Sequence, residues 1–420
     1  MKIGLGFVFF FVLFYVEPLP IGSVPFAVLW KALLFAVLLI GLYISPRGRA
    51  LPRLTVWGLL LFVAGFFNES LAIDPFETAS TALKNAYIPI LFGFWLYSFR
   101  DTEKGEYYAR RFIIVLSAFI LLSTTPFLLN LLSPLESGYD LSLFGGGDTV
   151  FGFVGIFQNA HGASMTLTVA SATLLWALPY ARTRTTRMFY LALMAVGLVA
   201  SFLTLVRTGL AMFASALLVL LASSRKRIHF RLALVLVIAS VPSAVYLFET
   251  SEVFRLRMLG LNVLMARQDV TLNQLGSGRF LYWTTALGQF FSSPFQQQIF
   301  GFGPTLAKEY MFGAIGLRIY AHNGFIDILQ FHGYFGLFAY AMMLREIFRI
   351  LLTLPRSNPY FTLLAMHLTA YLIGMLVQGE RYFLVDVLFA LSIVCAKLSA
   401  SFSAEENYRR RNDYFHASAK

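Results

Sequence analysis

Cysteine is nearly missing from this chain: Cys395 is the only one in 420 residues. A single thiol cannot form a disulfide within the chain, and inside an apolar segment it reads as a small buried hydrophobe. Charge is scarce too. Asp, Glu, Lys and Arg make up 13% of the residues, against about 25% in soluble domains, while apolar residues make up 58%. That balance excludes an ordinary soluble domain and indicates an all-α integral membrane protein. The net charge is +12, but no basic stripe with nucleic-acid spacing accompanies it, so no nucleic-acid partner is expected. No Cys, His and carboxylate set has metal-ligand spacing, so the expectation is no metal and no cofactor. No internal repeat or separate soluble domain is visible. The first segment lacks a small-x-small cleavage site and reads as a retained span.

What is present is a series of apolar runs. A membrane-crossing helix needs about 20 mostly apolar residues. On that measure the sequence predicts about 12 spans, near 3–16, 24–44, 54–68, 82–99, 111–132, 160–180, 188–206, 208–223, 230–248, 323–344, 359–378 and 382–402. The chain thus divides into spans over 1–248, an outer loop over 249–322, three more spans over 323–402 and a tail over 403–420. The tail is polar and is expected to be disordered. In the long loop, Val253, Phe254, Leu256, Met258 and Leu259, and then Leu281, Trp283, Ala286, Leu287, Phe290 and Phe291, predict amphipathic helices lying on the membrane face. A shorter loop at 133–159 is rich in glycine.

The connections alternate in charge. One set, with both ends of the chain, carries 23 of the 33 basic residues and 7 of the 21 acidic ones. The positive-inside rule puts that set in the cytoplasm and the 249–322 loop on the outer face. Against this pattern, the outer side holds Arg207, Arg255, Arg257, Arg267, Arg279, Lys308 and Arg318. Positive charge kept on the disfavoured side suggests that an anion is held there.

Four short constellations could carry chemistry. In Val206-Arg207-Thr208-Gly209 an arginine separates two apolar segments at their outer ends. A charge at that depth faces a cavity or partner, and a guanidinium gives forked contacts to phosphate oxygens; the bland alternative is an interfacial arginine. Gly276-Ser277-Gly278-Arg279 offers close backbone approach and a helix N-terminus, or only a turn into a helix. Ala321-His322-Asn323-Gly324 lies where the loop returns to the membrane. A histidine titrating near neutrality suits a proton acceptor, and Asn323 suits a helix cap. Gln158-Asn159-Ala160-His161 places amide and imidazole groups at the outer interface, again with a cap as the bland reading, and Arg381 stands in the last outer turn. His367, inside a span, reads as structural.

Taken together, these pieces resemble the bacterial O-antigen ligase and polymerase family. That family has a multi-span body, a large late periplasmic loop, one arginine before the loop, a second within it and a histidine at its end. The matching positions are Arg207, Arg279 and His322; Gly155-Ile156-Phe157-Gln158-Asn159 is similar to the family's glycine–asparagine element, without its Asn-Pro-Asn form. The resemblance implies a GT-C-like fold in the bacterial inner membrane and glycosyl transfer on its periplasmic face. The donor would be a glycan on undecaprenyl diphosphate and the acceptor a sugar hydroxyl of lipid A–core. It further implies that Arg207 and Arg279 stabilise the departing diphosphate without a metal and that His322 takes or orients the hydroxyl proton. Inversion by one displacement is expected. Substrate contacts would come from Asn323, Ser277, Gly278, Gln158, Asn159, His161, Arg255, Arg257, Arg318 and Arg381.

A polymerase would use the same donor with a second lipid-linked glycan as acceptor. A protein O-oligosaccharyltransferase is a third member of this class. A transporter or flippase of an anionic lipid-linked glycan would instead place charges at mid-membrane in broken, repeated spans. A scaffold would not need Arg207, Arg279 and His322 together.

Overall fold

A computed structural model describes residues 51–100, 104–131, 153–157, 159–223, 278–379 and 382–418, with isolated positions at 20–40 and 231–250. Along 402–418 it describes backbone alone. The expected spans at 3–16, 24–44 and 230–248 lie wholly or largely outside the described residues. So do the loop helix expected around Val253–Leu259 and the positions Gln158, Arg255, Arg257, Arg267, Ser277 and Arg381.

The described chain is helical apart from a two-residue antiparallel ladder, Pro20–Ile21 on Val24–Pro25. The helices are α1 (Arg53–Ala64), α2 (Ser70–Ile73), α3 (Pro75–Arg100), α4 (Gly105–Leu128) and α5 (Ala160–Ala177), which ends in a 3₁₀ turn. They continue with α6 (Arg184–Leu203), α7 (Arg207–Ser223), α8 (Arg279–Ser292), α9 (Phe295–Phe300) and α10 (Gly303–Ile315). The last three are α11 (Gly324–Thr353), α12 (Pro359–Val377) and α13 (Phe383–Ser418). Among the described residues, five helices are long and apolar enough to cross a membrane: α4, α5 with its turn, α6, α12 and the Phe383–Ser401 part of α13. α1 and α7 are shorter apolar helices.

The centre of the bundle is α5, buried along nearly its whole length. Its sequence is mostly Ala, Ser, Thr and Gly, small residues that let neighbouring backbones come close where no hydrophobic effect drives helices together. A Cβ on Gly209 of α7 would lie 1.9 Å from Ser164 Oγ, and one on Gly197 of α6 would lie 2.3 Å from Ser171 Oγ. α6 lies on the outside, with Met188, Phe189, Val199 and Leu203 exposed, as a lipid-facing helix would be.

The helix ends sort by charge. The start of α4, the end of α5, the start of α6, the end of α11 and the start of α12 share one end of the bundle. There Tyr360 Oη donates to Glu106 Oε1 (2.7 Å) and Trp176 Nε1 donates to the Pro359 carbonyl (2.9 Å). Arg110, Arg111, Arg182, Arg184, Arg187 and Arg356 lie near these helix ends. The starts of α5, α7, α11 and α13 and the end of α12 share the opposite, basic-poor end.

α11 departs from the expected 323–344 span. It runs on to Thr353 and breaks at Gly333 (φ 64°, ψ −164°). The break is filled by backbone: a Cβ on Gly333 would meet the Ile299 carbonyl oxygen at 2.2 Å, and one on Gly301 would meet Phe331 C at 2.4 Å. Phe302 N donates to the Gln330 carbonyl (2.9 Å), which satisfies a group that the break removes from the helical ladder. Residues 334–353 remain as one uninterrupted helical length. Arg349, expected in a loop, is helical and pairs with the buried Glu346 (2.5 Å). The polar stretch after Ser401 also differs from expectation: helix continues to Ser418, because extending a nucleated helix costs far less than starting one.

The layer formed by α8, α9 and α10 is docked on the α1–α3 corner. Ser70 Oγ donates to the Phe302 carbonyl (2.7 Å) and accepts from Leu306 N (3.0 Å), while Gln297 Nε2 donates to Glu69 Oε1 (3.0 Å). α8 covers the second apolar stretch expected to be helical in the loop. It buries Tyr282, Ala286 and Phe290, spaced i, i+4, i+8, and leaves Leu281 44% and Phe291 59% exposed. α9 and α10 were not legible, because Gly, Pro and Gln interrupt their apolar periodicity.

Candidate functional site at the basic-poor end

Arg279 is the first residue of α8. Gly278 before it has φ 78°, and a Cβ there would lie 2.9 Å from the Tyr282 ring. The position therefore requires glycine twice over, and the chain turns tightly enough to bring Arg279 across to the end of α12. There Arg279 Nη2 donates to Gln378 Oε1 (3.3 Å), and Gln378 is buried.

Arg207 opens α7 after a short turn in which Leu205 has φ 57°. Thr204 Oγ1 accepts from Val206 N (3.2 Å) and donates to the Ser201 carbonyl (2.6 Å). Residues 188–223 therefore form two helices, as expected, with Arg207 at the start of the second. Its level follows from helix register. α7 and α12 run antiparallel, and a Cβ on Gly374 would lie 3.5 Å from Met212 Sδ. One turn towards the basic-poor end, Gln378 stands level with Thr208, beside Arg207. Arg279 thus contacts the end of α12 from the loop layer, and register puts Arg207 at the same level of the bundle.

His322 lies beside Tyr282 of α8. It has φ 54°, uncommon for a residue with a side chain, and its ring centroid is 6.1 Å from that of Tyr282. Its neighbours are fixed in place. Ala321 N donates to Asp327 Oδ1 (3.0 Å), and Asn323 Oδ1 accepts from Phe325 N (3.1 Å) and Ile326 N (3.3 Å), capping α11. Gly379 closes the ring, since a Cβ there would lie 2.5 Å from Asp327 Oδ2. Burial pushes the Tyr282 hydroxyl above its ordinary value, an effect the Arg279 charge partly offsets. The phenol is therefore protonated at neutral pH and available as a donor.

The other expected site residues fall into two groups. Asn159 caps α5, its Oδ1 accepting from Gly162 N (2.7 Å), which puts His161 in the first turn at the same end. Gly162 packs against Tyr382, where a Cβ would lie 2.8 Å from the ring. Arg318 stands apart, 64% exposed and paired with Glu309 (3.3 Å). Lys308 is bound to Glu77, so part of the positive charge on the loop is neutralised within the protein.

Gln378 and Glu77 were missed in the sequence. A polar residue ending an otherwise apolar helix was the available signal for Gln378. His367, read as structural, bonds Thr173 Oγ1 (2.9 Å) inside the bundle.

Residues 189–341 match the family model described as O-Antigen ligase. The matched region is similar to the O-antigen ligase family. It is a little over one third of the chain and contains Arg207, Arg279 and His322, while Glu77, His161 and Gln378 lie outside it. No curated protein matches the chain. The resemblance read from three short motifs and the family match thus point to the same family, in a protein whose helices are long and apolar enough for a membrane.

Proposed function

We propose that this O-antigen ligase family protein is a GT-C-like inner-membrane glycosyltransferase. It would move a glycan from undecaprenyl diphosphate to a sugar hydroxyl of lipid A–core on the periplasmic face. The observation that carries the reading is the Arg279–Gln378 contact at the end of α12, level with Arg207, with His322 beside the Tyr282 that Arg279 influences.

In this reading the acceptor hydroxyl oxygen attacks the anomeric carbon. The bond from that carbon to the diphosphate oxygen breaks, and the electron pair leaves with undecaprenyl diphosphate. The hydroxyl proton passes to a ring nitrogen of His322. Negative charge grows on the bridging oxygen, where Arg207 and Arg279 stabilise it without a metal. Asn159 and Asn323 use their side-chain oxygens as caps, so their contact with glycan would come through the amide nitrogens. His161, Ser277, Gly278, Gln158, Arg255, Arg257 and Arg381 are proposed for the rest of the glycan and lipid path. One displacement inverts the anomeric centre. Arg207 and Arg279 stand at helix starts and not within a span, which favours a surface transferase over a mid-membrane transporter.

The test is reconstitution of purified protein with lipid-linked glycan, with and without lipid A–core, in the presence of a chelator. Transfer to lipid A–core, reduced on the order of 10²–10³-fold in Arg279→Ala and comparably in His322→Ala, supports the ligase. Longer lipid-linked chains without the core acceptor indicate a polymerase on the same site. Lipid crossing the membrane with no transfer rejects the enzyme reading.

A further inference from the structure

The strap that carries His322 is tied to a helix more than two hundred residues earlier in the chain. Tyr320 Oη donates to Glu77 Oε1 (2.6 Å), Thr305 Oγ1 donates to Glu77 Oε2 (2.9 Å), and Lys308 Nζ also donates to Oε1. Glu77 is fixed in turn, its own N–H donating to Asp74 Oδ1 (2.8 Å) at the start of α3. The Tyr320 ring is held on both sides: Lys308 Nζ is 4.7 Å from its centroid, and the Phe331 ring packs edge-on at 5.0 Å.

Tyr320 is two residues before His322. The next residue, Ala321, is fully buried with its N–H on Asp327, and the residue after His322 caps α11. Between these anchors His322 keeps its left-handed backbone. Such a conformation is strained for a residue with a side chain and persists only where the surroundings over-determine it. Glu77 and Tyr320 anchor this strap outside the loop and α11, on α3.

We propose that Glu77 is a positioning residue: through the Tyr320 hydroxyl it sets the place of His322 relative to the acceptor. The inference rests on the transferase reading, in which His322 handles the acceptor proton. Lys308 and Thr305 serve a different purpose on the same carboxylate, docking α10 onto α3. Loss of the Tyr320 bond releases the strap, whereas loss of the Lys308 attraction weakens the docking alone.

Four variants separate these roles in steady-state transfer assays and thermal melts. A misplacement of about 1 Å can cost about 10²-fold in rate, so Tyr320→Phe and Glu77→Ala are expected to lower kcat roughly 10- to 100-fold. Donor KM should stay within about twofold in both, because donor contacts are untouched. Glu77→Gln keeps an oxygen that can accept from Tyr320, so it should retain most of kcat while melting at a lower temperature. His322→Ala is run alongside.

Wild-type kcat in Tyr320→Phe overturns the proposal, as does a loss in Glu77→Gln equal to that in Glu77→Ala, or a loss appearing in donor KM instead of kcat. Wild-type transfer in His322→Ala overturns the underlying reading instead. If Glu77→Ala does not fold, Tyr320→Phe, which removes one hydroxyl, decides.

Discussion

Arg279 reaches across 3.3 Å to Gln378, joining the first residue of a loop helix to the last turn of a bundle helix. The bond aims the guanidinium at the end of α12 before any ligand arrives. Replacing Gln378 by Leu keeps the volume and removes the acceptor. A lost hydrogen bond to a charged group is worth about 1 kcal/mol or more, so kcat/KM for the donor should fall at least about fivefold. Unchanged donor kcat/KM in a steady-state titration would show that Arg279 is aimed by something else.

Gly333 and Gly301 bring two backbones into direct contact. Alanine at either position adds a Cβ where a main-chain atom already lies and forces positive φ on a residue with a side chain. Each substitution should cost more than about 3 kcal/mol, seen as a large fall in melting temperature. Gly313, with open space at its Cβ, is the control and should tolerate alanine. Equal melting of Gly333→Ala and Gly313→Ala would mean that the break in α11 is not held by the 299–302 segment.

These two features show what the sequence could and could not convey. Arg207, Arg279 and His322 stood out in the sequence because each is a polar residue where apolar pattern or charge asymmetry disfavours it. Five of the expected spans, near 111–132, 160–180, 188–206, 359–378 and 382–402, coincide with helices long and apolar enough to cross a membrane. The break in α11 was not legible, because a glycine within an apolar run carries no sign of what packs against it. Gln378 and Glu77 were hidden for another reason: their roles lie in partners 99 and 243 residues away. The acidic residues facing the basic-poor side were read as a topology signal, and one of them proved to be the counter-charge of Lys308.

Glu77 gives the loop docking a pH dependence. Burial pushes its carboxyl up, but hydrogen bonds from Lys308, Tyr320 and Thr305, together with the Lys308 charge, outweigh that and hold it below its ordinary value. A carboxylate with a lowered folded pKa contributes stability above its unfolded pKa and loses it as pH falls through the folded one. Wild type should therefore melt above Glu77→Gln at pH 6, and the gap should close by about pH 3. A gap that persists in acid, or widens, contradicts this assignment.

Asn159 separates capping from ligand contact. Its side-chain oxygen satisfies Gly162 N, a role serine fills nearly as well. Asn159→Ser should keep both melting temperature and transfer, while Asn159→Ala should lose about 1 kcal/mol of stability. Loss of transfer in a stable Asn159→Ser protein would show that the amide itself touches substrate.

The partners that fasten α10 and the His322 strap to α3 are 228 to 243 residues apart in the chain. A ribosome making about 5–20 residues per second needs on the order of 10–50 s to cover that distance. Glu77 therefore waits with its carboxylate lacking Lys308, Thr305 and Tyr320 until most of the protein has been synthesised. Assembly of the His322 end is a late event in biogenesis, and a nascent chain halted before residue 300 has the α3 anchor but nothing fastened to it.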